Sequence, residues 1–97
     1  MPTYVTLYKW TEKGVKTIKD IEARFEASKK LVKSMKSKII SIYVTMGKYD
    51  VVMISECPDD EIAATVAFSI AMKGNVQSTT MRAFSESEIY KIVKKAV

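Results

Sequence analysis

From Thr3 to Trp10 every position except Lys9 carries an apolar, aromatic or hydroxyl side chain, so the segment reads as a strand with bulk on both faces. Thr11 is placed to cap the chain that follows, with Glu12 in the first turn and Gly14 keeping that turn short. Asp20 then opens a longer helix to about Ser37, because Val15, Ile18, Ile21, Phe25, Leu31 or Val32, and Met35 recur three and four apart. Two β-branched runs, Ile39 to Met46 and Tyr49 to Cys57, flank Gly47-Lys48 and read as a hairpin that Pro58 ends. Asp59 caps a second helix whose Ala63, Ala64, Ala67 and Ala71, with Val66 and Ile70, permit close approach to a sheet. Lys73-Gly74 stops that helix, Val76 to Phe84 forms a fourth strand, and Ser85-Glu86-Ser87-Glu88 starts a short last helix.

The order is therefore βαββαβ plus a C-terminal helix, an α+β arrangement. Right-handed crossovers around a central hairpin give an antiparallel sheet ordered 4-1-3-2, with both long helices on one face. If Gly47 sits in a two-residue type II′ turn, Met46 faces Tyr49, Val44 faces Val51 and Ile42 faces Met53. One hairpin face then holds Ile40, Ile42, Val44, Met46, Tyr49, Val51 and Met53, assigned to the helix-covered core. The other holds Ile39, Ser41, Tyr43, Thr45, Asp50, Val52, Ile54 and Glu56, joined by Tyr4, Thr6, Tyr8 and Trp10 of the first strand. A bulge would exchange the two sets beyond it. The second face is too apolar to stay in water, so the chain is expected to pair with a second copy around a partly apolar cavity, as a homodimer or higher homo-oligomer.

The chain has 97 residues, room for one domain spanning residues 1–97. At 47% apolar and 28% charged it has the composition of an ordinary globular protein, and its N-terminus lacks the marks of a signal peptide, so a cytoplasmic location is expected. No apolar run is long enough for a membrane span. The complete absence of histidine removes imidazole bases, Ser-His and Cys-His nucleophiles and His-ligated metals. With a single cysteine, Cys57, neither an internal disulfide nor a cysteine metal cage is available; no metal and no cofactor are expected. The net charge of +5 raises nucleic acid as a partner, but Lys29, Lys30, Lys33, Lys36 and Lys38 crowd a helix end, where cations offset the dipole.

Gly47-Lys48-Tyr49-Asp50 resembles the G-x-Y-D signature of the GYD-domain family. Thr3 to Thr11 with Gly14, and Gly74-Asn75-Val76 with Thr79 to Phe84, resemble the same family, so the similarity spans nearly the whole chain. It implies a ferredoxin-like fold of the dimeric α/β-barrel kind. The hairpin and the Gly74 to Thr80 segment are also similar to the ligand-sensing domains of Lrp/AsnC-type regulators, which implies small effectors bound between subunits. No helix-turn-helix precedes the first strand, so a stand-alone sensing or assembly module is expected.

Five residues stand out as a ligand site. Tyr8, Trp10 and Tyr43 each join a large apolar body to a polar tip; Asp50 can accept from a ligand amine or pair with Arg82; Arg82 can hold a carboxylate or phosphate. Each has a plainer role as well: the aromatics as interface packing, Asp50 as a turn stabiliser, Arg82 as a surface ion pair. Gly47, Tyr49 and Asp50 form the turn motif itself. The leading expectation is a homo-oligomer that binds a small, partly apolar metabolite or acts as an assembly module. The alternative is a cofactor-independent monooxygenase or isomerase using the same cavity. Nucleic-acid binding ranks third, since Val52, Ile54, Asp50 and Glu56 replace the aromatics and cations an RNA-binding sheet displays.

Overall fold

A computed structural model describes residues 1–97. Strand β1 (Thr3–Trp10) leads through helix α1 (Glu12–Lys16) and a 3₁₀ turn (Ile18–Asp20) into α2 (Ile21–Ser34). Strands β2 (Lys38–Val44) and β3 (Val51–Glu56), helix α3 (Asp60–Ala71), strand β4 (Val76–Ala83) and helix α4 (Glu86–Val93) follow. The sheet is antiparallel throughout and ordered β2-β3-β1-β4, the expected arrangement counted from its other edge. This is the ferredoxin-like α+β fold.

The helix ends form as their sequences require. Thr11 and Asp59 accept from the backbone N–H groups of Gly14 and Ile62, at 3.1 and 2.9 Å. Ser85 and Glu88 make a reciprocal capping box that starts α4, and Gly74 takes the left-handed conformation after α3 (φ +80°). Asp20 precedes α2 but makes no side-chain cap, because the 3₁₀ turn already carries the chain into the helix. Val15 and Ile18, expected in the apolar stripe, are exposed; of α2 only Val32 is fully buried.

The first strand shows its faces the opposite way from the expectation. Tyr4, Thr6 and Tyr8 are opposite Ser55, Met53 and Val51, and all six are buried. Directly paired residues share a face. Tyr8, Val51 and Met53 pack with Phe25 of α2 and Ile70 of α3, and Tyr4 packs with Cys57 and Ala63, so this is the helix-covered side. Val5 and Leu7, opposite Ile54 and Val52, lie instead on the uncovered side with Tyr43 and Met81. Both faces of β1 are bulky, so bulk alone does not distinguish them. Packing does: the aromatic bodies take the covered side and the smaller aliphatics the bare one.

The β2–β3 pairing agrees with the expected register for Val44–Val51, Tyr43–Val52 and Ile42–Met53. Two details differ. A bulge falls between Ile39 and Ser41, which sends Ile39 to the core and leaves Ile40 exposed, the reverse of their assignments. The tip is a six-residue loop, Thr45 to Asp50, wider than a two-residue turn: β2 ends at Val44 and β3 begins at Val51. Gly47 has the expected positive φ (+110°), but Met46 projects wholly into solvent at 99% exposure. Val44 lies on the covered face yet beyond the reach of the helices, and is exposed. The Tyr49 ring sits 5.7 Å from the ammonium groups of both Lys9 and Lys48, outside the core to which it was assigned.

A backbone seam joins the start of α1 to the loop before β4. Thr11 N–H donates to Asn75 O (3.0 Å), Thr11 Oγ1 to Gly74 O (2.6 Å) and Lys13 Nζ to Lys73 O (2.8 Å). Gly14 is buried in this seam, and a Cβ there would collide with the carbonyl oxygen of Asn75. Gly14→Ala is expected to lower Tm by roughly 5–20 °C in a thermal melt, from about 1–3 kcal/mol of overpacking in a domain of this size. An unchanged melt would show that the seam yields freely.

Candidate functional site

α2 faces the sheet with small side chains. Ala23, Ala27 and Ser28 stand where larger residues would fill the space, so the helix leaves a gap that Phe25 only partly closes. The result is a cavity of about 220 Å³ between α2, the end of α3 and the covered face of the sheet. Tyr8, Trp10, Ile42, Val51, Met53 and Val76 form its sheet wall, Ile70 lies at the α3 side, and Arg24, Lys73 and Asn75 supply polar groups. Ala23 and Ala27 are exposed, so the cavity reaches solvent along α2. It lies within a single chain, whereas the expectation put it between two subunits.

Of the candidate ligand residues, this cavity gathers Tyr8 and Trp10. Tyr8 is buried; its hydroxyl contacts Met53 Sδ at 3.9 Å, and burial pushes its pKa up to about 12, so it lines the wall as a neutral phenol. Trp10 carries the Arg24 guanidinium over its ring at 5.4 Å. Tyr43 is 62% exposed on the uncovered face and takes no part.

Asp50 is occupied by the fold. Its backbone N–H donates to Tyr8 O (2.8 Å), and its Oδ2 accepts from Trp10 N–H (2.8 Å). Pairing of β1 with β3 stops at Tyr8–Val51, so the Asp50 carboxylate takes the place of the next strand carbonyl and satisfies a donor that would otherwise be orphaned. Thr45 Oγ1 braces the loop by donating to Tyr49 O at 2.7 Å.

Arg82 lies at the other end of β1, opposite Tyr4, too far along the strand to meet Asp50. It hydrogen-bonds Ala83 O and Thr3 O, stacks on Phe84 at 4.5 Å and pairs with Glu88 at 3.4 Å, tying α4 to β4. The nearby Tyr4 hydroxyl is pushed up to about 12 by burial and by its 2.5 Å bond to Asp60. Arg82 is thus a surface ion-pair residue in this chain. The expected site therefore separates into a cavity pair, a bare-face tyrosine and two structural residues.

Arg24 was not foreseen. Its signal lies in the spacing of Ile21, Arg24, Phe25, Ser28 and Val32, which puts a guanidinium on the inward side of the helix. Its Nη2 donates to Gly14 O (3.2 Å) and Thr17 O (3.0 Å), while Nε and Nη1 are buried without any partner.

Residues 4–93 match the GYD domain. This chain belongs to the GYD-domain family. Over 90 residues the GYD domain is 27% identical to a Thermus thermophilus protein named glutamine synthetase and cystathionine beta-lyase binding protein, covering 92% of this chain and 95% of that one. Its fold is similar to a crystal structure from Thermus thermophilus, with TM-score 0.55 and 20% identity over 88% of this chain and 95% of that one. It is also similar to the leucine response regulatory protein of Mycobacterium tuberculosis, with TM-score 0.64 and 14% identity over 87% of this chain. The GYD domain spans about half of that regulator, covering 51% of its chain. No helix of the GYD domain is long and apolar enough to cross a membrane.

Two outcomes check the site. Asp50→Ala is expected to destabilise the fold by about 1–3 kcal/mol, because it strands the Trp10 N–H, while Asp50→Asn keeps an acceptor and recovers most of that loss in a thermal melt. Equal losses from both would remove the acceptor role. In alkali, Tyr8 favours the folded state fully below the usual phenol pKa of about 10, and that contribution disappears as pH rises through about 12. Tyr8→Phe should therefore flatten part of the stability decline between those values, read by denaturant melts at stepped pH.

Proposed function

We propose that this GYD domain is a self-associating module that holds a small, partly apolar metabolite between its helices and its sheet. The cavity carries the reading: an apolar space of about 220 Å³, open to solvent and bounded on one side by aromatic rings and on the other by small helix residues. Ligand sites combine apolar walls with a few polar groups in this way.

The uncovered face of the sheet supports self-association. Val5, Leu7, Tyr43, Val52, Ile54 and Met81 point away from their own chain's helical layer, and Ile89, Ile92 and Val93 of α4 are exposed as well. A two-fold pairing of this face that buried about 800 Å² per subunit would contribute on the order of 10 kcal/mol or more before association costs. A second reading is that the same face receives a different protein. It is favoured by the relative whose name describes binding to glutamine synthetase and cystathionine beta-lyase.

Two variants separate cavity from face. Sedimentation of the wild type at micromolar concentration is expected to give a species of at least twice the 10.9 kDa chain mass, and Val52→Arg should return it to monomer. The neutral dye N-phenyl-1-naphthylamine should brighten in the cavity, and Ala27→Trp should abolish that signal while Val52→Arg keeps it. A monomeric wild type would discard self-association, and dye fluorescence indifferent to Ala27→Trp would discard the cavity as the binding site.

A further inference from the structure

The charged groups around the cavity are all of one sign. Arg24 and Lys73 line it, and no carboxylate does. An arginine guanidinium is a planar cation that only donates hydrogen bonds. Two backbone carbonyls and the Trp10 ring hold that of Arg24 in place, yet Nε and Nη1 find no acceptor anywhere in the chain. Buried charged donors without partners are costly, each by more than an ordinary hydrogen bond returns. Nε and Nη1 are closed to solvent as well as unpartnered, so a head group in the cavity reaches them by a small turn of the guanidinium about its Nη2 anchor.

We propose that the cavity takes a small organic carboxylate, with its apolar tail against Tyr8, Val51 and Met53 and its carboxylate accepting from Arg24. This rests on the reading above that the cavity holds a small molecule, and adds the chemical class. Three observations combine. The walls are apolar enough for an aromatic ring or a branched chain, the volume limits the ligand to about that bulk, and the only charges present are cations with donors to spare. Lys73 adds a second positive charge at the α3 side, and the Ser28 hydroxyl and Asn75 amide offer further polar contacts for a head group. A cationic ligand would meet two like charges with no counter-ion, and a neutral one would leave the arginine donors as they are.

Calorimetric titration of the full chain with 3-phenylpropionate and 4-methylpentanoate, each beside its primary amide, tests the assignment. The acids are expected to bind roughly tenfold or more tightly than their amides, the yield of a charge-assisted hydrogen bond. Arg24→Gln should remove that preference, leaving acid and amide equally weak, and Ala27→Trp should abolish binding of both. Acid and amide binding alike to the wild type would overturn the carboxylate assignment while leaving the cavity intact as a ligand site. Acids that fail to bind at all would overturn it too, and the neutral dye then reports separately whether the cavity accepts anything. An acid preference that persists in Arg24→Gln would move the head group away from Arg24. The wild-type comparison needs no variant, so loss of folding in Arg24→Gln, visible by circular dichroism, does not shield the proposal.

Discussion

The pairing of β1 with β3 decides what each side of this molecule is for. A one-residue slip in a strand sends every side chain to the opposite face. Asp50 secures the register where slippage would begin, holding Tyr8 O with its own amide and Trp10 N–H with its carboxylate. With that register the aromatic side chains of β1 meet the helices. The alternative would put Val5 and Leu7 under α2 and α3 and leave Tyr8 and Trp10 bare, and the cavity would lose its wall.

The same register explains the uneven distribution of apolar surface. Twelve of the 97 residues are buried, a thin core for a sheet of four strands, because helices cover one side only. Small residues on α2 then leave part of the space between helix and sheet unfilled, which opens a cavity inside that core. Two demands for apolar contact remain, one inside the chain and one outside it. They lie on opposite faces of the same strands, so an occupant of the cavity and a neighbour on the bare face would touch alternate residues of β1 and β3.

The architecture was legible because local signals agreed with one another. Thr11, Asp59 and Ser85 cap helices, Gly74 ends one, and the alternating runs pair in the expected strand order. The site was less legible, and the reasons are physical. β1 is bulky at every position but Lys9, so alternation could not say which half of it faces inward. The bulge at Ile40 exchanges two isoleucines that are chemically identical. Arg24 sits beside Phe25 in a helix with many exposed charges, so its inward spacing is masked by the solvated cations around it. Asp50 drew attention for the right reason, its place in the turn motif, but its acceptor capacity is spent on the end of a strand.

The irregularity at Ile40 also bears on how many chains can come together. β2 is an outer strand, and a straight outer strand offers its free amides and carbonyls to any passing chain. The extra residue bends and twists that rim, and the Lys38–Glu56 ion pair (3.8 Å) places charge where a new strand would have to dock. Ribbon-like growth along this rim is thereby discouraged, whereas a neighbour stacked on the bare face would meet no such obstacle.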